Sequence, residues 1–383
     1  MSKNHIIRTA LVAGVLAASF GVASAEVKVG VIHALSGSAA SQGISQNQAI
    51  QIAIPKEIGG EKVRLVILDD AGDPAIATRN AKKLIEEEKV DVLLGPTTTP
   101  AAIAIAQVAS SSKIALLPAA PVTLGDARDE WLFNIPPPPM KWIVPIIGDM
   151  KKRGVKTVGF IGFSDAWGDI SLKALQSFAE QGGYKIITDE RYARSDTSVT
   201  GQVLRVIGAK PDAVFLGVSG SPGVLANVTL NERGYAGPIY NGNGIFNKDF
   251  LSLGGSAIEG IFASVGAIAV GDQLPDNEPR KAVVRDFFNK FNSTYGKDKA
   301  DAISGFGYDS GLLATQAIEK ALKKAKPGTP EFRVAVRDGM REIDRLPGTH
   351  SIYTFADPKW PWGVGDDATF LVTVKGGNWT LAK

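Results

Sequence analysis

The 383-residue sequence contains no cysteine and only three histidines. Without thiols there is no disulfide, no thiolate nucleophile, no iron–sulfur ligation and no N-terminal cysteine to carry a lipid. His5 lies in an N-terminal leader, so His33 and His350 remain, too few for a His-rich zinc site. No metal and no other cofactor is expected. An excess of charge is also missing: 42 Lys and Arg face 39 Asp and Glu, a formal +3. Two of those cations, Lys3 and Arg8, sit in the leader, where no acid occurs. The rest is nearly neutral and has no electrostatic footprint for nucleic acid.

Catalytic motifs are equally scarce. No G-x-S-x-G elbow occurs; the nearest run, Gly217 to Ser221, lacks the final glycine. No complete G-x-G-x-x-G or Walker P-loop is present. A Ser–His–Asp triad would have to use His33 or His350, and His33 ends an apolar run, where a cleft-lining or satisfied core histidine is expected. Asp69 and Asp70 are adjacent carboxylates that read as caps and surface polarity rather than an acid–base pair. An exported hydrolase would lack its nucleophile, so no enzyme is expected.

What is present begins with residues 1–25. A positive start, the apolar stretch from Thr9 to Ser24 and the small-residue signal Ala23-Ser24-Ala25 make a secretory signal peptide, cleaved after Ala25. Its apolar run of about 16 residues is short of the roughly 20 that a membrane span requires. No later run comes close. An exported, periplasmic protein without a lipid anchor is expected.

Beyond the leader, strand and helix patterns alternate. EVKVGVIHA, KVRLVILDD, VDVLLGP and KIALLPAA read as strands, with a helix between each strand and the next and a Gly/Ser/Ala-rich loop after the first. Asp73-Pro74 opens one helix as N-cap and first helical residue. Such alternation gives a parallel sheet covered by helices on both faces. Four consecutive prolines, Pro136–Pro139, interrupt it as a stiff extended connector. The rhythm then restarts with KTVGFIGF, YKIITDERY, DAVFLGV, PIYNGNG and GIFASVGAI. TFLVTV and NWTLA close the chain. The fold class is α/β, with two doubly wound parallel-sheet lobes. Ligands of open α/β sheets bind beyond the carboxyl ends of the strands. Here those positions are Ser36–Gln42, Pro96–Pro100 and Ala119–Pro121, small polar residues at helix starts, where free N–H groups favour an anion.

The runs VGVIHALSGSAASQG and LDDAGDPAIATRNAKKLIEEEKVDVLLGP, the Pro118-Ala119-Ala120 turn and FSDAWGD at 163–169 carry a resemblance. The chain resembles the type I periplasmic substrate-binding proteins of ABC transporters, in the branched-chain amino acid (Leu/Ile/Val) branch. The resemblance implies two lobes joined by a three-strand hinge that close over a small ligand. It places lobe one at 26–136 plus 265–365 and lobe two at 137–264 plus 366–383. The implied partners are a small-molecule ligand and an inner-membrane ABC permease, and a monomer is expected.

The resemblance also nominates site residues. The serine that holds the ligand carboxylate in amino-acid binders corresponds to Thr99, with Thr98 beside it. The residue offering its backbone corresponds to Ala119, followed by Ala120. A ligand-bonding threonine is replaced by Pro121, which has neither hydroxyl nor N–H. The aromatic lip corresponds to Trp167, and Gln42 stands where amino-acid binders have an aromatic. Ser219 and Asn243 are added by lobe two, and Phe246 offers a second aromatic face, with Trp142 a further candidate. Asn243 falls on the position of the acid that pairs the ligand ammonium. Losing that acid favours an apolar or aromatic monocarboxylate without an amine, since a buried ammonium lacking a partner is costly. The alternatives are an amino acid ligand, or a ligand-sensing domain of the same fold. The turn from Asp357 to Trp362 has no assigned role.

Overall fold

The computed structural model describes residues 26–297, 299–357, 361–365 and 369–382. The expected signal peptide, and Pro358 to Trp360 of the aromatic turn, lie outside the described residues.

The first strand, β1 (Val27–His33), is almost completely buried, as its apolar run requires. It starts a five-stranded sheet with β2 (Glu57–Ile58), β3 (Glu61–Asp69), β4 (Val92–Leu94) and β5 (Leu116–Leu117), in the order β2-β3-β1-β4-β5. β1 runs parallel to β3 and β4, and β4 parallel to β5; only the short β2 is antiparallel. A second sheet holds β6 (Thr157–Phe163), β7 (Lys185–Tyr192), β8 (Ala213–Gly217), β9 (Ile239–Asn241) and β10 (Phe262–Val265). A two-stranded ribbon, β11 (Leu346–Pro347) and β12 (Ile352–Tyr353), follows, and β13 (Phe370–Lys375) and β14 (Asn378–Leu381) then return as an antiparallel hairpin. The seven strands are ordered β14-β13-β10-β9-β8-β6-β7, and β6 to β10 are parallel.

In both sheets the chain starts inside and winds outward in two directions, so each has a switch point beside its first strand, β1 or β6. Crevices open there at the carboxyl ends of the strands. The chain passes between the sheets three times: after β5, after β10 and before β13. The helix Ala302–Leu322 packs along Ala40–Ala53 and belongs with the five-stranded sheet.

Two glycines fix how the leading helices sit. A Cβ at Gly43 would collide with the Ala34 carbonyl, and one at Gly168 with the Phe163 carbonyl. Each helix therefore lies directly on the exit of its own strand, and the preceding residues, Gln42 and Trp167, are held at the carboxyl edge. The proline connector differs from expectation. Pro138 is extended, but Pro139 starts a helical turn, Pro139–Trp142, because proline is well suited to a first helical position. The helix expected to open at Asp73-Pro74 runs Pro74–Lys82, with Asp73 as its N-cap, and continues as a wider π-turn over Lys83–Glu87.

Candidate functional site

The carboxyl edges of the two sheets face each other across a narrow cavity. The five-stranded half lines it with the residues after β1, β4 and β5, and the seven-stranded half with residues after β6, β7, β8 and β9. The rims touch. Gln42 Nε2 donates to the Gly244 carbonyl at 3.1 Å, Asn247 Nδ2 to Ser41 Oγ at 3.3 Å, and the Lys248 N–H to Asp301 Oδ2 at 3.3 Å.

Of the residues expected from sequence, Gln42, Thr98, Thr99, Ala119, Ala120, Pro121, Trp167, Ser219 and Asn243 all line this cavity. Phe246 does not. Its ring packs on Trp379 of β14, with centroids 4.5 Å apart, and it belongs to the core. Asn243 and Gly244 complete the turn after β9, and the chain has folded inward by Phe246, where the apolar ring finds the hairpin. Trp142 is also buried and lies behind the site: it stacks between Trp167 and Phe215, 6.2 Å from each.

On the first half, Thr98 precedes the helix Thr99–Ser111 without capping it through its side chain. The hydroxyls of Thr98 and Thr99 are buried and have no protein partner. Such groups are costly unless something satisfies them. They stand at a helix start, where N–H groups and the helix dipole add to the pull on an anion. Below them, His33 Nδ1 lies 2.9 Å from Thr97 Oγ1, and burial pushes the His33 pKa down to about 3. His33 is thus a neutral support beneath the wall. His350 is likewise neutral, at about 3, and its ring stacks 3.8 Å from Phe306, which faces the cavity. The two aspartates after β3 part ways. Asp69 accepts from Leu35 N, Ser36 N and Ser36 Oγ and ties down the loop after β1. Asp70, expected at the surface, is fully buried; burial raises its pKa to about 6.

On the second half, Asp165 caps the helix Ala166–Ser177 by accepting from Trp167 N and Gly168 N. Its other oxygen accepts from Arg194 Nε at 2.6 Å. Arg194 also donates to Ser219 Oγ at 2.8 Å, and its guanidinium lies 4.2 Å over the Phe163 ring. Arg194 lines the cavity and is the single ionisable side chain that does so among the described residues. Sequence reasoning missed it, since a charged residue in the loop after β7 gives no sign of a partner 29 positions away. Gln46, one helical turn beyond Gln42, and Ile303 with Phe306, three apart on one helix face, were legible by spacing but not read. Thr97, Pro136 and Gly244 complete the wall.

Residues 26–378 match the family described as periplasmic binding protein. An extracellular ligand-binding receptor from Rhodopseudomonas palustris HaA2 is 38% identical, covers 94% of this chain and 100% of that one, and superposes with a TM-score of 0.90. The Leu/Ile/Val-binding protein BraC3 of Rhizobium johnstonii is 24% identical over 254 residues, 62% of this chain and 67% of that one. A solute-binding protein of an R. palustris ABC transporter, solved in complex with benzoate, is 20% identical with a TM-score of 0.75, over 93% of this chain and 95% of that one. At that identity the likeness is one of fold.

Proposed function

The chain belongs to the type I periplasmic binding protein family, and from that premise we propose that it captures an apolar or aromatic monocarboxylate lacking an amine. Its solute-binding relatives are not enzymes. The observation that carries the ligand class is the charge of the wall: among the described residues it holds no carboxylate and one cation, Arg194. An amino acid would bury an ammonium there without an anionic partner, at a cost of several kcal/mol. Asp165 does not supply one, because both of its oxygens are engaged by Arg194 and the helix start.

The ligand carboxylate docks on Thr98, Thr99 and the start of their helix. Its apolar body lies among Pro121, Pro136, Trp167, Ile303 and Phe306. An aromatic ring suits these flat faces. The bodies that hinge are 26–136 with 265–365 and 137–264 with 366–383. Contacts made only on closure, from Trp167, Ser219 and Asn243, bias the population toward the closed form. That form is what an inner-membrane permease can tell from the empty clamp. The protein works as an exported periplasmic monomer. The benzoate complex of the R. palustris protein is consistent with an aryl acid, while the name of BraC3 makes leucine the natural competitor.

A thermal-shift screen of the mature protein with benzoate, phenylacetate, coumarate, leucine and phenylalanine, followed by calorimetry, tests this. Ligand that binds the folded state raises the unfolding midpoint by mass action. Amine-free acids should raise it and leucine should not. A response to amino acids alone would overturn the reading.

A further inference from the structure

Arg194 is unusual for the only ionisable side chain in the wall among the described residues, because its charge is already balanced. Asp165 lies 2.6 Å from Nε, with side-chain exposures of 15% and 22% for the pair. A ligand carboxylate at Arg194 would be a second anion on one cation, close to the Asp165 carboxylate, whereas among the described residues no acid lines the cavity at the Thr98–Thr99 end. Charge therefore sends the ligand's anionic end away from Arg194. The remaining chemistry at Arg194 is donation. A guanidinium carries five N–H donors and no acceptor. Two are committed, to Asp165 and Ser219, and the others have no protein partner among the described residues. The Phe163 face beneath the guanidinium and these two bonds fix its orientation.

Two neighbours have the same polarity. Ser219 Oγ accepts from Arg194, so its own hydrogen is available to another acceptor. Trp167 is 5% exposed, yet its indole N–H has no protein partner. All three residues line the cavity. The second half thus presents a cluster of donors with almost no net charge, which suits a neutral oxygen better than an anion.

We propose that Arg194, Ser219 and Trp167 form a donor end that selects acids bearing a neutral hydrogen-bond acceptor, such as a ring hydroxyl, methoxyl or keto oxygen, opposite the carboxylate. This rests on the carboxylate reading above and narrows it. An acid without that oxygen leaves desolvated donors unpaired, a penalty that discriminates more strongly than added apolar contact does.

The test compares acids of similar size: 4-hydroxybenzoate and 4-methoxybenzoate against 4-methylbenzoate, by calorimetry on the full mature chain. The parent should bind the oxygenated acids at least tenfold more tightly. In the double variant Asp165→Asn/Arg194→Met, which removes donor and counter-charge together, the preference should fall to about twofold or less. Ser219→Ala, a milder change, should reduce it severalfold. A parent that binds all three acids equally overturns the donor end while leaving the carboxylate reading intact. Equal losses for oxygenated and methyl acids in the double variant also overturn it, since Arg194 would then serve the shared carboxylate. If none of the acids binds and leucine does, both readings fall.

Discussion

The two halves of the cavity solve the same problem with different materials. Each places a helix on the exit of its first strand through a glycine, Gly43 or Gly168, and each holds the residue before it, Gln42 or Trp167, against the cavity. Beyond that shared frame they diverge. The five-stranded half offers neutral groups from short continuous turns, Thr97–Thr99 and Ala119–Pro121. The seven-stranded half takes one or two residues from each of four connections and locks them with an ion pair, Arg194 to Asp165. A helix start with uncommitted hydroxyls can receive an anion without a fixed cation. A balanced pair can donate without attracting one. The difference gives the cavity a direction.

Placing charge on the second half is the most severe way to break that arrangement. Asn243→Asp adds a carboxylate to a wall that has none, and should weaken aryl-acid binding roughly a hundredfold while creating a partner for an ammonium. Calorimetry with benzoate and leucine reads both changes. If benzoate affinity stays the same, Asn243 does not face the ligand. Removing apolar surface comes next. Trp167→Ala should weaken binding at least tenfold, given about 1.5–3 kcal/mol for burying a large apolar side chain. Circular dichroism should show a folded protein, since Trp142 and Phe215 still stack behind it. On the first half, Thr99→Val keeps the shape and deletes one hydroxyl. A lost hydrogen bond to a charged group, about 1.5 kcal/mol or more, predicts a loss of about tenfold for every acid irrespective of ring substituent. A loss that varied with the substituent would place Thr99 at the wrong end.

The same contrast explains what was readable in the sequence. Strand–helix alternation exposed both sheets, because buried parallel strands are near-continuous apolar runs. The first half of the cavity was readable too, since its residues are neighbours in sequence at strand ends, as in Thr98-Thr99 and Ala119-Ala120-Pro121. The second half was readable only position by position. Trp167 showed in its Asp-x-Trp-Gly turn, but Arg194 owes its role to Asp165 and Phe163, contacts that no local pattern encodes. Phe246 misled for the converse reason. Two residues after a cavity-lining glycine, it belongs to Trp379, more than a hundred positions later. Asp70 looked like surface polarity because adjacent aspartates usually are, and only the packing of the loop after β3 shows it buried.

That buried carboxylate leads to the smallest expected effect, one of stability rather than affinity. The five-stranded half carries buried groups whose pKa values burial has moved in opposite senses. Asp70, Asp301 and Asp309 rise to about 6, whereas His33 and His350 fall to about 3. Between about pH 4 and 6 the folded chain holds protons on the three aspartates that the unfolded chain releases, so their contribution to stability grows as pH falls. Over the same interval the unfolded chain protonates its histidines and the folded chain does not, so theirs shrinks. Each group tilts stability by up to about 1.4 kcal/mol per pH unit, so three aspartates against two histidines leave a net tilt of at most one group's worth, toward greater stability as pH falls. The combined contribution of these five groups to the parent's stability should therefore grow modestly from pH 6 to pH 4. Asp70→Asn removes one of the three and brings the two sets level. Relative to the parent it should be the more stable form near pH 7, with that advantage shrinking by roughly 1 kcal/mol per unit as pH falls from 6 to 4. Urea unfolding at pH 7, 5.5 and 4.5 reads the difference directly. A constant offset at all three values would mean that Asp70 stays ionised throughout, held by contacts stronger than the single Gly72 N–H bond at 2.8 Å.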